Sequence, residues 1–154
     1  MPTSTLIQFL GEGAGTATSA RRQVATFIAA EAIAANDAVS LDLAQAIDGD
    51  KALKVMKADT GTATDKCFVG VALEAAAVGA RIDVCIAGIC EANVAGTTAA
   101  GSVLQIGSTA GRLDVRTTAV NEGGAATFNL FPVCGIASEA DTANVATIFV
   151  FKQF

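Results

Sequence analysis

The residues that could carry chemistry in this sequence are four cysteines and a scatter of carboxylates, because its 154 residues include no histidine. Without histidine, serine triads, cysteine–histidine nucleophiles and histidine metal clusters are excluded. No Ser-x-x-Lys motif is present to activate a serine by another route. The sequence therefore predicts a protein that is not an enzyme and that needs no cofactor.

The cysteines are spaced irregularly, without a Cys-x-x-Cys pair: Cys67, Cys85, Cys90 and Cys134. We expect four reduced thiols that act as small core residues, with an all-cysteine zinc site as the alternative. On one continuous strand, Cys85 and Cys90 would face opposite sides, which disfavours a local disulfide.

Most aspartates fall in predicted turns, where we expect them to be solvated: Asp37, Asp42, Asp48, Asp50, Asp59 and Asp65. A carboxylate pair for glycoside hydrolysis is the alternative. The Gly11-x-Gly13-x-Gly15 run lacks the third glycine of a dinucleotide loop, and the Asp48–Asp50 run lacks the further ligands of a calcium loop. A hairpin turn with Gly49 at positive φ is the interpretation of residues 48–50.

Composition narrows the class of partner. The net charge is −5 and 52% of residues are hydrophobic, and Arg21-Arg22 is the one basic pair. Nucleic-acid binding needs clustered Lys and Arg, so it is not expected. No apolar run reaches membrane-spanning length and no secretory leader is visible, so we expect no membrane partner and a chain made in a cytoplasm.

The first 22 residues predict an N-terminal arm. An apolar segment, Leu6-Ile7-Gln8-Phe9-Leu10, precedes a Gly- and Thr-rich tract that is flexible by composition. The arm either adds to the sheet edge of a neighbour or docks on its own domain. The candidate contact residues are Leu6, Ile7, Phe9, Leu10, Arg21 and Arg22.

The rest of the chain reads as short strands. Residues 24–35 are rich in alanine but lack a helical apolar stripe, and they lead into the Asn36-Asp37 turn and the alternating run 38–43. Further strands are predicted at 52–57, 66–73 and 81–89, with Glu74–Gly79 as a loop or one short turn. The predicted fold is all-β, with little helix.

Four blocks of the second half repeat the first half in order, at an offset of about 65 residues. Residues 99–104 match 34–39, 112–115 match 53–55, 133–140 match 68–75, and 145–150 match 79–84. We infer an internal duplication that gives two similar, fused β-barrel or sandwich-like subdomains. The predicted division is an arm at 1–22, a first β subdomain at 23–92 and a second at 93–154.

The most specific repeated block is Gly-Val/Ile-Ala-x-Glu-Ala at residues 70–75 and 135–140. We expect its glycine to allow a close backbone approach or a bulge. Glu74 and Glu139 would then occupy equivalent positions at strand ends, either in a capped turn or as a contact used twice.

Two of these segments carry a family resemblance. Residues 31–39 (EAIAANDAV) and 68–77 (FVGVALEAAA) resemble the E-A-I-x-x-G/N-D-A-V turn and the G-V-A-x-x-A strand of the capsid decoration, or cement, proteins of tailed phages. Gly101–Leu104 and Gly111–Val115 fit the same style, so the resemblance covers residues 24–154.

The resemblance implies a structural virion protein on the outer surface of an icosahedral capsid, assembled in the host cytoplasm. Such a protein is often a homotrimer, and it clamps neighbouring major capsid protein subunits. The alternative is a head-fibre or a receptor- or carbohydrate-binding β module of a virion, although the sequence has no Trp or Tyr to form a sugar platform.

Overall fold

A computed structural model describes residues 22–60, 67–116 and 132–153. The described chain consists of nine strands and one short helix, which confirms the predicted all-β class. The strands are β1 (Gln23–Ala29), β2 (Ala38–Leu41), β3 (Lys54–Lys57), β4 (Phe68–Ala72), β5 (Arg81–Ala95), β6 (Val103–Ile106), β7 (Leu113–Val115), β8 (Val133–Ala137) and β9 (Val145–Val150), and the helix is α1 (Asp48–Leu53).

The strands close into two rings that share β5. In the first ring, the order is β1-β3-β2-β4-β5, and β5 pairs back to β1. In the second ring, the order is β5-β7-β6-β8-β9, and β9 pairs back to β5. β5 belongs to both rings because it is 15 residues long. Its first part pairs with β1 and β4, and its second part pairs with β7 and β9.

The two rings have the same pairings in the same directions. β1 is parallel to β3, as the second part of β5 is to β7, and the other pairs of both rings are antiparallel. A register shift interrupts β2 after Val39 and β6 after Leu104. Because even this irregularity recurs, residues of the two rings can be matched one to one.

The matched pairs refine the offset that the sequence predicted. Leu113 is equivalent to Val55, and Ile148 to Val84, since these residues hold the same places in the ladders. The offset is smaller for β7 because residues 42–53, including α1, connect β2 to β3, whereas residues 107–112 alone connect β6 to β7. The predicted match of residues 145–150 is displaced by two positions.

Descent from a duplicated unit stays a prediction, as does the division into domains. The predicted boundary between residues 92 and 93 falls inside β5, a strand that belongs to both rings.

Each ring encloses its own apolar interior. The first interior contains mostly small side chains, among them Val39, Val55 and Val84. The second contains larger ones at the equivalent positions: Leu104, Leu113 and Ile148. Burial of these aliphatic side chains is the main source of stability that the fold offers.

Turn and glycine chemistry follows the sequence prediction at two matched places. Asn36 and Gly101 have φ of 68° and 84°, in the left-handed region that these residue types tolerate. A Cβ on Gly70 would lie 2.1 Å from the carbonyl oxygen of Cys85. A Cβ on Gly135 would lie 2.3 Å from that of Phe149, so the predicted close approach is confirmed in both rings.

The prediction for residues 48–50 was wrong. These residues begin α1 instead of forming a hairpin turn. Asp48 and Asp50 stand in its first turn, where carboxylates favour the helix dipole, and each forms an ion pair with a lysine one turn later. The predicted strand at 52–57 accordingly starts only at Lys54.

Candidate interaction surfaces

Five of the six predicted contact residues, Leu6, Ile7, Phe9, Leu10 and Arg21, lie outside the described residues, so their contacts stay a prediction. Arg22 is described and half-buried, immediately before β1. It lines a groove of about 250 Å³ together with Asn36, Leu73, Cys90 and Glu91. Arg22, the last residue of the predicted arm, therefore lies beside Cys90 and Glu91 of the strand that the two rings share.

Two thiols touch beside this groove. Cys85 and Cys90 are both buried in the same apolar cluster and are hydrogen-bonded to each other. The expectation that they face opposite sides of a strand was wrong because β5 is irregular between them: β1 shifts register against it, and Gly88 has a φ of 97°.

Burial shields Cys85 and Cys90 from solvent, while their pKa values move in opposite directions. The hydrogen bond with Cys90 lowers the pKa of Cys85, and burial opposes this change. The same hydrogen bond, and then burial, raise the pKa of Cys90. Burial raises the pKa of Cys134 to about 12. Cys85, Cys90 and Cys134 behave as core residues, as predicted, while Cys67 is only half-buried.

A buried polar junction joins the rings around Asp37. Its carboxylate accepts hydrogen bonds from the Ala34 amide at 2.9 Å and from the Asn93 side-chain amide at 2.9 Å. The Asn93 backbone amide donates to the Asn36 carbonyl at 2.8 Å. The Ala38 amide donates to the Gly111 carbonyl at 2.8 Å. The turn before β2 thus docks on the edge of the second ring.

Asp37 and Asp42 correct the expectation of solvated turn carboxylates. They are 6% and 7% exposed. Asp42 accepts hydrogen bonds from the Ala44 amide at 3.1 Å and from the Gln45 side chain, so it closes the start of the connection to α1. Both accept hydrogen bonds from local backbone amides, which is a structural task.

Glu74 and Glu139 hold matched positions, two residues after β4 and β8, and both are exposed. Glu139 accepts a hydrogen bond from the Thr147 hydroxyl on the neighbouring strand β9. It lines a second shallow groove, of about 200 Å³, with Glu91 and Thr142. The repeated glutamate is therefore a strand-end residue in each ring.

The outer face of the first ring, defined as Ala38, Val71 and Cys85, is fully buried. These residues belong to the apolar cluster of the second ring and not to the interior of their own. The second ring has the same face, defined as Val103, Ile136 and Phe149 through the shared register. Sequence reasoning missed both faces, although the unbroken apolar run Ile148-Phe149-Val150 signals a strand that is apolar on two sides.

A third groove, of about 330 Å³, lies on the first ring between β1 and the end of α1. We call it the β1–α1 groove, and it is lined by Thr26, Phe27, Ile28, Leu53 and Arg81. Leu53 is half exposed and Ile47 at the start of α1 more so. The groove offers apolar contacts and one guanidinium, a composition suited to a protein partner.

Over the described ranges, no three His, Cys, Asp or Glu side chains are grouped so that they could hold a metal ion. Within the same ranges, no helix has the length and apolar character to cross a membrane. What the described geometry provides is buried polar contacts between rings and apolar outer surfaces.

Comparison with known proteins bears on the fold. No family model matches the sequence, and no curated protein matches it either. The structure is similar to the crystal structure of the head fiber gp8.5 N base in bacteriophage phi29, with a TM-score of 0.55. The likeness concerns the fold. The two share 16% sequence identity, and the match covers 85% of this chain and 95% of that one.

Proposed function

We propose that the chain is a non-enzymatic structural protein of a phage virion, which binds across neighbouring major capsid protein subunits on the outer surface of the head. The observation that carries the proposal is the likeness to the phi29 head fiber base over nearly the whole of both chains. The decoration-protein resemblance of residues 24–154 points to the same location independently of that fold.

The chemistry of the chain supports a binding role. Its cysteines are mostly buried, Asp37 and Asp42 are engaged by backbone amides, and its sequence contains no histidine. A capsid presents many copies of one surface, so modest contacts made by a homotrimer suffice through avidity. Neither a cofactor nor a nucleic acid is needed for this role.

The arm is the element that we assign to the capsid. Its apolar segment stands ahead of a Gly- and Thr-rich tract, and Arg22 at its end meets the groove beside the ring junction. An extended apolar arm can add a strand to an exposed sheet edge, where main-chain hydrogen bonds supply affinity.

The test is binding to purified phage shells that lack this protein. Replacing Leu6, Ile7, Phe9 and Leu10 with serine should abolish co-sedimentation with the shells while the circular dichroism spectrum stays that of a folded β protein. The matched control replaces residues 11–19 with a Gly/Ser tract of equal length, and it should bind normally. Full occupancy by the serine variant would contradict the assignment to the arm.

A second candidate, the base of a head fibre, is favoured by the structural likeness to the phi29 head fiber base. The two roles differ in what the capsid gains. A decoration protein raises the temperature at which shells release DNA, whereas a fibre base leaves that temperature unchanged and carries a further fibre segment. Thermal DNA release from shells with and without the bound chain separates them.

A further inference from the structure

The two rings contact each other through different surfaces. Each ring therefore also has, on its outside, the counterpart of the surface that the other ring contributes to the contact. The first ring contributes its outer face and the Asn36–Asp37 turn, and the second contributes the edge around Asn93 and Gly111. A contact of this kind is heterologous, and nothing in its geometry prevents a second use of the remaining surfaces.

The unused outer face of the second ring is apolar and open. Val103 is 37% exposed and Phe149 is 42% exposed, and Ile136 between them is half-buried. Their counterparts in the first ring, Ala38 and Cys85, are each 0% exposed because the second ring covers them. The open face also carries larger side chains than the covered one.

The edge of the second ring around Asn93 and Gly111 receives the first ring, and its counterpart in the first ring lies in the β1–α1 groove. Ile28 is equivalent to Asn93, since Ile28 pairs with Arg81 as Asn93 pairs with Val145. Counted from the matched Val55 and Leu113, Leu53 at the end of α1 takes the place that Gly111 has in the shorter connection. Gly111 is buried against the first ring, whereas Leu53 is 52% exposed.

We propose that these two surfaces bind each other between copies of this chain: the outer face of the second ring of one copy occupies the β1–α1 groove of the next. The contact inside the chain is the template, because equivalent residues already form a buried interface there. In the contact between copies, the entering copy supplies Val103 and the Gly101–Ser102 turn. These take the places that Ala38 and Asn36–Asp37 have in the contact inside the chain.

The side chains that differ between the two contacts suit this occupant. Leu53 replaces a glycine on the receiving side, and Phe149 replaces a cysteine on the entering side. The contact between copies would therefore have larger apolar groups than the internal one, which combines the small apolar face of the first ring with the Asp37 hydrogen bonds. A head-to-tail contact closes into a ring of subunits if its rotation allows, which would give the proposed homotrimer a defined interface.

The proposal is independent of the capsid, because self-association is measured with the purified full-length chain alone. In sedimentation velocity over a wide range of concentrations, we expect an average mass that rises with concentration. Phe149→Asp and Leu53→Asp should each weaken association at least about tenfold, since each places a charge in an apolar contact. Val78→Asp is the matched control: Val78 is 69% exposed but lies outside both surfaces, and the variant should associate like the parent.

Complementation gives the sharper result. Phe149→Asp keeps an intact groove and Leu53→Asp keeps an intact outer face, so an equimolar mixture should form a one-to-one complex that does not grow further. A symmetric contact that uses one face twice would give no such complex and would overturn the proposal. A parent chain that stays monomeric would overturn it too, as would association that is lost on deletion of residues 1–21 but kept in both aspartate variants. Thermal melts establish that each variant is folded.

Discussion

The first and second rings have the same pattern of strands, but the outer face of one is buried and that of the other is exposed. The first is covered on its outer face by the second, and its turn carboxylate Asp37 is buried in the junction. The second leaves the same face open, and the residue that matches Asp37 is the half-exposed Ser102. The strand pairings therefore determine the architecture of each ring, while the outward-facing residues determine which surface each ring contacts.

The connections after β2 and β6 also differ between the rings while the strand pairings stay the same. In the second ring, six residues with Gly111 at a φ of 78° make a tight turn that fits under Asp37. In the first ring, the connection is long enough to hold α1 and presents Leu53 to solvent. An insertion at this position leaves the ladders unchanged and alters one surface.

The largest expected effect is a loss of stability on replacing the glycine at the close strand contact, and it should occur in both rings if they are built alike. Gly70→Ala and Gly135→Ala each place a Cβ within 2.1 or 2.3 Å of a carbonyl oxygen on the neighbouring strand. We expect each to lower the free energy of unfolding by about 3 kcal/mol, because backbone must move in both cases. Urea unfolding curves measure the loss.

The control for these variants is Gly49→Ala in α1, where no described atom outside the adjacent residues lies within 4 Å of the added Cβ. It should raise the free energy of unfolding by about 0.5–1 kcal/mol, since alanine favours helix. A large loss at Gly70 with none at Gly135 would mean that the rings are not built alike.

The next largest effect compares the buried turn at Asp37 with the exposed turn at its counterpart Ser102. Asp37→Ala leaves the Ala34 amide and the Asn93 side chain without their acceptor inside the junction, and we expect a loss of about 2–3 kcal/mol. Ser102→Ala removes one acceptor, for the Ala99 amide at 3.2 Å, from an exposed turn, and should cost about 0.5 kcal/mol. Equal losses in thermal unfolding would show that the junction contributes nothing beyond the turn.

A smaller and purely kinetic effect concerns the thiols. In the native chain a thiol reagent should modify Cys67 readily and Cys85, Cys90 and Cys134 only after unfolding, because the last three are buried. The high pKa of Cys134 slows it further, since the thiolate is the reactive form. Mass spectrometry of peptides after brief labelling identifies the modified residue, and rapid loss of native Cys85 would place it at the surface.

The sequence predicted the parts of the fold that depend on local chemistry. Asn36 and Gly101 marked matched turns because both tolerate positive φ, and Gly70 and Gly135 marked the close strand contacts. The helix α1 was missed since Asp48-Gly49-Asp50 is typical of hairpins, and the lysines that pair with these aspartates lie in the following turn.

The surfaces could not be predicted in the same way. Burial of Asp37 depends on Asn93 and Gly111, which are distant in sequence and are brought near by the sharing of β5. Contact between Cys85 and Cys90 depends on an irregularity at Gly88 that alternation alone does not reveal. Which face is covered follows from how the rings pack, and this information is not local.

The most direct measurement compares the matched positions 85 and 149. In a chain with Cys67→Ser, native Cys85 should resist a thiol reagent, and the thiol introduced by Phe149→Cys should react rapidly in dilute solution. Since the open face binds a second copy in our account, protection of position 149 should increase with protein concentration, while that of Cys85 stays constant. Equal and concentration-independent protection at both positions would contradict the claim that one ring is covered and its counterpart is left open.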